Sequence, residues 1–401
     1  MPEYLSPGIY LEDLQPLSRP IEGVSTSVAG IIGVSTATAV MPLQPDNVTR
    51  FNRQAKGVPK FVTNWEEFKQ SFGDFQTANQ YLAHAVYGFF NNGGRRCYVA
   101  WVADLDGVKD VLDEFAAIDE ISIVAAPMPP SIGGAAVTQN ELKSKVHDRI
   151  VAHCNALGDR VAILESIAAP ARLAVDATGA NGVIAPVDPN GFVSLYVPWI
   201  KVDDPLATGA AANIDVPPSG HLAGIYARTD STRGVFKTPA NEFIFGSQGT
   251  SMPVSPAIQD GLNPTGVNCL RVFSGGVLVW GARTRASATG GNAQYRYVNV
   301  RRYINFLRKS LDQGLRFVVF EPNTPSLWQS ITRTISDFLL GQWRDGALFG
   351  ETPKQAFYVK CDSQTNPAIV REAGQVVTEI GVAIVKPAEF VILRIIQQSG
   401  G

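Results

Sequence analysis

RRCYVAWVADLDGVKDVLDEFAAIDEISIVAAP (95–127) decides the fold class. Its first nine residues are rich enough in apolar and β-branched side chains for a strand. A helix follows near Val108–Ala117, and ISIVAAP makes a second strand. Downstream, Thr138 and Glu141 form a capping box that opens a helix to about Leu157, and RVAILES supplies a third strand. This is the β-α-β-α-β order of an α/β layer. Upstream, Asn64 reads as an N-cap with Glu67 as its partner three residues on, and Gly73 closes that helix. A second helix starts near Asn79, places Leu82, Ala85, Val86, Phe89 and Phe90 on one face, and stops at Asn91-Asn92-Gly93-Gly94. Val24–Val34 reads as an apolar strand.

The regular pattern thins across 167–265, where VSLYVPWI is one clear strand and a helix starts near Pro217-Pro218-Ser219. It returns with a helix near Val300–Gln313, the strand LRFVVFEP (315–322), and a helix near Ser326–Leu340. Strands are then expected around Ala356–Lys360, Val376–Ala383 and Phe390–Ile396. The fold class expected is α/β, mixed α+β in detail. No fixed-period repeat is present, so solenoids and propellers are excluded.

Composition narrows the function classes. Hydrophobic residues are 45% of 401, which excludes a disordered or fibrous chain, and charged residues are only 17%. A surface so poor in charge suggests coverage by copies of the same chain. The net charge of −2 excludes a polybasic nucleic-acid binder. Cys97, Cys154, Cys269 and Cys361 lie far apart without a CxxC pair, so reduced, packed thiols are expected. The opening MPEYLSPGIYLED has neither a basic n-region nor an apolar h-region, so no secretory leader is expected. Gly23–Pro45 is uncharged, but six Ser/Thr residues and the lack of Lys/Arg flanks argue against a membrane span.

Catalytic patterns are lacking. There is no GxxxxGK[ST] phosphate loop, and the Gly-Gly pairs at 93–94, 133–134, 275–276 and 290–291 read as turns. His84, His147, His153 and His221 show no HExxH or zinc-finger spacing. Ser219-Gly220-His221 lacks a GxSxG elbow, and Asp104-Leu105-Asp106-Gly107 lacks the later ligands of a calcium loop. Neither an enzyme nor a resident cofactor or metal is expected.

The termini say more. Residues 1–23 carry Pro2, Pro7, Pro16 and Pro20, which forbid a helix, while Ile9-Tyr10-Leu11 can form a short strand. Phe390, Val391, Ile392, Leu393, Ile395 and Ile396 form a terminal strand, interrupted only by Arg394, that wants burial on both faces. It can pair within its own domain or add to a sheet in a neighbouring copy. A charge asymmetry accompanies this. Nine Arg/Lys and one acid lie between Arg271 and Arg316, whereas Asp104–Glu120 holds seven acids and one lysine.

Several ordered pieces together resemble the contractile tail sheath family of phage tails, R-type tailocins and related injection systems. They are YLSPGIYLED (4–13), GVSTSVAGIIG (23–33), FGDF (72–75), AVYGFFNNGGRRCYV (85–99), YVPWIKVDDP (196–205), VPPSGHLAGIYARTD (216–230) and RGVFKTPANE (233–242). The C-terminal third adds RYVNVRRYINFLRKSL, FVVFEPN, LWQSI, FYVKCD and IGVAIVKPAEFVILRIIQ. The chain looks like a minimal member, without room for large outer insertions. Its expected parts are an arm at 1–23, the N-terminal core at 24–95, a middle α/β domain at 96–265, a C-terminal core at 266–385 and a linker strand with tail at 386–401.

The resemblance implies a structural subunit that polymerises as stacked hexameric rings around an inner tube. It contracts from a metastable extended state to drive the tube through an envelope. The implied partners are further copies, the inner tube protein, and baseplate and terminator or cap proteins, with no direct nucleic-acid contact. Such a particle assembles in the bacterial cytoplasm and can be released by lysis. A non-contractile tube or baseplate component of the same kind of particle is the alternative. Both termini would be subunit-linking arms. The basic residues Arg301, Arg302, Arg308, Lys309 and Arg316 would form a face for the tube or a neighbouring subunit, with plain solvation as the remaining option.

Overall fold

The computed structural model describes residues 20–36, 38–179, 181–207, 213–288, 290–390 and 392. The chain forms two compact units, a larger one from Val24–Lys309 with Ile384–Gly401 and a smaller one from Met1–Gly23 with Ser310–Ala383.

The larger unit begins with β1 (Ala29–Val34), β2 (Lys60–Val62), α1 (Trp65–Phe72) and α2 (Gln80–Asn91). The Asn64 side chain accepts the Glu67 N–H as expected of an N-cap, while the Glu67 carboxylate reaches one residue further back, to the N–H of Thr63. There follow β3 (Cys97–Val102), α3 (Val108–Ala116), β4 (Ile123–Ala125) and a small hairpin of β5 (Ser131–Ile132) and β6 (Ala135–Ala136). Thr138 and Glu141 make the full reciprocal capping box of α4 (Gln139–Glu141), which runs through a π-helical stretch, Leu142–His147, into α5 (Asp148–Leu157). Gly158 closes α5 at φ 67°, a left-handed conformation that glycine takes without a Cβ clash.

β7 (Val161–Glu165) and β8 (Val193–Val197) come next, and β9 (Ile200–Asp203) follows after a break at Pro198, which has no N–H to give a ladder. The single strand expected over VSLYVPWI is therefore two strands in two sheets. The unit continues with β10 (Asn213–Val216), α6 (Ser219–Arg233), β11 (Ser247–Thr250), α7 (Pro256–Leu262), β12 (Val267–Phe273), β13 (Gly276–Trp280) and α8 (Val298–Gly314). The smaller unit takes the last turn of α8, then α9 (Pro325–Arg344), α10 (Pro353–Ala356), β14 (Phe357–Lys360), α11 (Ala368–Glu372) and β15 (Glu379–Val382).

Eight strands form the main sheet in the order β13-β12-β8-β7-β4-β1-β3-β2. The pairs from β12 through β3 are parallel, and an antiparallel strand lies at each edge. Side chains alternate across it with period two. Ile31, Val99 and Trp101 pack with α1, α2 and α6, whereas Ile32, Ala100 and Val102 pack with α3 and α5. Both faces are covered, as the near-continuous apolar strands require. The expected boundaries at 95/96 and 265/266 fall inside this sheet, because β1 lies between β3 and β4 and β12 pairs with β8.

LRFVVFEP is not a strand. Arg316–Val318 is a 3₁₀ turn, the Val318 and Glu321 N–H groups bond to Leu315 O and Val318 O, and Val319 and Phe320 face solvent. An apolar run becomes a strand only with a partner edge. Among the described residues of the smaller unit, the strands present are β14 and β15, and this run pairs with neither. All four cysteines are free and buried, and burial raises the Cys269 thiol to about 12.

Three histidines are buried and held neutral. Burial lowers His84 and His147 to about 4 and His221 to about 3, below the ~6.5 of an unfolded chain. Between those values the unfolded chain binds more protons. Each histidine thus contributes stability that is complete above pH ~6.5 and lost as pH falls toward 4. Glu165, raised to about 8 by burial, acts in the opposite sense, with its contribution full below its unfolded value near 4.5 and lost as pH rises through 8. His153, lowered to about 4 by burial and the Arg160 charge, acts with the other three histidines, and together they outweigh Glu165. The thermal midpoint of the unassembled subunit should fall by several degrees from pH 6.5 to 4.5, and His147→Gln should flatten the slope. A midpoint that holds steady across that window would overturn this reading.

Candidate assembly surfaces and the residues that anchor them

α8 carries the expected basic residues, and the structure divides them. Arg301 is 4% exposed; its Nε donates to Asn190 O at 2.9 Å, and its guanidinium lies 3.6 Å from the Tyr295 ring centre and 4.0 Å from that of Phe192. Arg302 is 3% exposed and bidentate on Asp230 of α6, at 2.8 and 2.6 Å. Its Nη2 also donates to Thr26 O at 2.9 Å, and the Thr26 hydroxyl donates to the same carboxylate at 2.6 Å. These two arginines do not form part of an exposed basic face. Arg302 fastens α8 to α6 and to the segment leading into β1, and Arg301 fastens it to the loop that enters β8.

The other three lie nearer the surface. Arg308 donates to Gly158 O at 3.1 Å, at the carbonyl end of α5, where a cation suits the helix dipole. Lys309 reaches Asp159 at 3.2 Å and the Asp119 carbonyl. Arg316 is exposed and pairs with Asp312 at 3.6 Å, one helical turn away. Part of the apparent excess charge of 271–316 is met by acids that the fold brings in from elsewhere: Asp230 at Arg302, Asp159 at Lys309 and Glu389 at Arg283. Sequence alone held one clue to this: Arg302 lies four residues from Val298, so it shares the inward face of the helix.

The second assembly feature is the segment returning to the larger unit. Asn299, at the start of α8, donates to Val385 O at 3.1 Å and to Phe236 O at 2.9 Å. Four residues on, the Glu389 carboxylate accepts from Arg283 Nε at 2.9 and 3.2 Å, Arg283 Nη2 at 2.8 Å, Tyr297 Oη at 2.9 Å and Asn263 Nδ2 at 2.8 Å. Burial works against the ionised form, but these donors outweigh it and hold the Glu389 carboxyl below its ordinary range. Arg283 is fixed in turn, since its backbone N–H donates at 2.7 Å to Asn268 Oδ1 on β12. No motif at 263, 283, 297 and 389 announces this convergence.

Of the expected linker residues, Phe390 is 71% and Ile392 79% exposed. Ile9, Tyr10, Leu11, Val391, Leu393, Ile395 and Ile396 lie outside the described residues. In the smaller unit, β14 and β15 form a two-stranded antiparallel sheet whose outer edges carry no further strand among the described residues. Tyr358 on β14 is exposed, as are Phe320, Phe349 and Ile369 in the same unit. A two-stranded sheet is marginal alone and gains from added strands. Among the described residues no group of His, Cys, Asp and Glu could hold a metal, and no helix is long and apolar enough to cross a membrane. The arrangement is that of a docking part, with anchored internal cations, an open sheet and exposed apolar side chains.

Comparison with known proteins agrees. Residues 107–285 match the phage tail sheath protein central domain and 291–398 the phage tail sheath C-terminal domain. A tail sheath protein of Vibrio phage KVP40 is 28% identical over 188 residues, 46% of this chain and 27% of the relative. A putative prophage major tail sheath protein of Pseudomonas aeruginosa (strain UCBPP-PA14) is 28% identical over 199 residues, 48% of each. The matched part is thus less than half the length of these curated relatives. Solved structures match end to end. The contracted sheath complex of the extracellular contractile injection system PVC is 26% identical with TM-score 0.73, covering 99% of both chains. The contracted helical sheath of the anti-feeding prophage is 25% identical with TM-score 0.74, covering 98% of this chain and 99% of that one. With a mixed α/β fold shared over its length and sheath domains matched in both its central and C-terminal parts, the chain belongs to the phage tail sheath family.

Proposed function

We propose that this chain is the repeating subunit of a contractile sheath. It stacks as hexameric rings around an inner tube and shortens from a metastable extended lattice to push the tube through a target envelope. The observation that carries this reading is the likeness, over 98–99% of the chain, to sheath subunits solved in contracted assemblies. The N-terminal arm around Ile9–Leu11 and the strand from Phe390 are the linkers, each adding to a sheet of a neighbouring copy. The β14–β15 sheet is a suitable acceptor, because an extended segment can continue its hydrogen-bond ladder. The work is stored as a free-energy difference between two lattices, so no nucleotide is consumed. Assembly takes place in the bacterial cytoplasm, with a tube protein, a baseplate and a cap as partners.

Electron microscopy of the chain assembled on its tube tests the reading. Two sheath lengths are expected, with heat or mild denaturant converting long to short in buffer free of ATP. A single length under all conditions would instead favour a non-contractile tube or baseplate part. Removing residues 1–20 should leave a folded subunit that forms no long sheaths; normal contractile sheaths from that deletion would rule out the N-terminal linker.

A further inference from the structure

We propose that Glu389 is the load anchor of the C-terminal linker, the point where tension along the donated strand passes into the subunit's main sheet. This rests on the reading above that residues from Phe390 onward link subunits. The geometry supports a mechanical role. Residues 385–390 belong to no helix or strand, so no ladder of backbone bonds holds them. The segment is instead gripped at Val385 O by Asn299 and at Glu389 by three side chains from separate places in the chain. The next residue, Phe390, already faces solvent. Among the described residues, Glu389 is therefore the last that is held by side-chain hydrogen bonds.

The grip is also braced from behind. Arg283 is bidentate on Glu389, its Nη1 donates to Asn263 O at 3.0 Å, and its backbone is fixed to Asn268 of β12, whose Nδ2 donates to Leu195 O of β8. Pull on residue 390 thus reaches two neighbouring strands of the parallel sheet through a carboxylate, a guanidinium and an amide. Planar arginine–carboxylate pairing adds directional rigidity that a lysine would not. A slack attachment at this position would let the linker move without turning the subunit, so linker and subunit would lose their fixed register.

Three variants of the purified full-length chain test this: Glu389→Ala, the swap Arg283→Glu with Glu389→Arg, and a chain ending at Glu389. Two readouts are needed, the thermal midpoint of the unassembled subunit and the critical concentration for self-assembly by sedimentation. For Glu389→Ala we expect a midpoint within a few degrees of the parent and a critical concentration raised about ten- to a hundredfold, the effect of losing charge-assisted hydrogen bonds. The swap should recover part of that loss, and the shortened chain should not assemble. Assembly of Glu389→Ala at the parental concentration, while the shortened chain fails, overturns the anchor but leaves the linker standing. A midpoint that falls in step with assembly also overturns it, making Glu389 a group that stabilises the fold. Assembly by the shortened chain removes the linker reading itself, and the anchor with it.

Discussion

Arg302→Ala is expected to cost the subunit about 3–5 kcal/mol, the usual result of removing one member of a buried ion pair. Asp230 would then keep a buried carboxylate with the Thr26 hydroxyl still donating to it, and Thr26 O would lose its guanidinium donor. Set against a total of about 5–15 kcal/mol for a domain, this change brings the larger unit close to unfolding at ambient temperature. The paired variant Arg302→Met with Asp230→Leu should recover most of the loss, because apolar side chains of similar volume avoid the desolvation cost that the ion pair must offset. Urea unfolding followed by tryptophan fluorescence measures both. A loss below about 1 kcal/mol for Arg302→Ala would place this pair with surface salt bridges, contrary to the geometry.

Gly220→Ala should destabilise by about 1–3 kcal/mol, although alanine is the better helix former by about 1 kcal/mol. A Cβ at Gly220 would lie 2.4 Å from Ala85 O and 2.6 Å from Ala85 Cα, on the backbone of α2, where no rotamer change can relieve it. One turn on, Gly224 meets Phe89 O at 2.4 Å in the same way. Gly341 in α9 is the control, since nothing lies within 4 Å of its would-be Cβ. Gly341→Ala should therefore stabilise by roughly 0.5–1 kcal/mol. Opposite signs from the same substitution, read as shifts in thermal midpoint, would isolate helix–helix contact as the cause. Equal signs would refute it.

Much of the larger unit was legible because its signals are local. The Thr138–Glu141 box, the Asn64 cap and the strands around Cys97, Ile123 and Val161 each follow from a few adjacent residues. What sequence did not reveal depends on distant partners. LRFVVFEP has the composition of a strand but pairs with neither β14 nor β15, and β12 and β13 hide in a stretch whose only mark is its apolar residues. The basic run on α8 looked like a surface because Asp230 and Asp159, which meet Arg302 and Lys309, come from far along the chain. Charge counted over a segment describes the chain before folding. Only the fold says which of those charges remain unspoken for.

The place of β1 in the sheet bears on how the protein is made. Among the described strands it is the first to leave the ribosome, yet it sits inside the sheet, hydrogen-bonded to β3 and β4, both of which are synthesised later. Between Val34 and Cys97 lie about 60 residues of further synthesis, roughly 3–12 seconds at ~5–20 residues per second. Through that interval the nascent AGIIGV segment (29–34), nearly all of it buried in the finished subunit, has no partner of its own. Parallel pairing at such separation is slow for reasons of chain entropy. A subunit needed in many copies thus begins each life with an interior strand of its main sheet exposed. Its yield in a cell depends on what shields six apolar residues during those seconds.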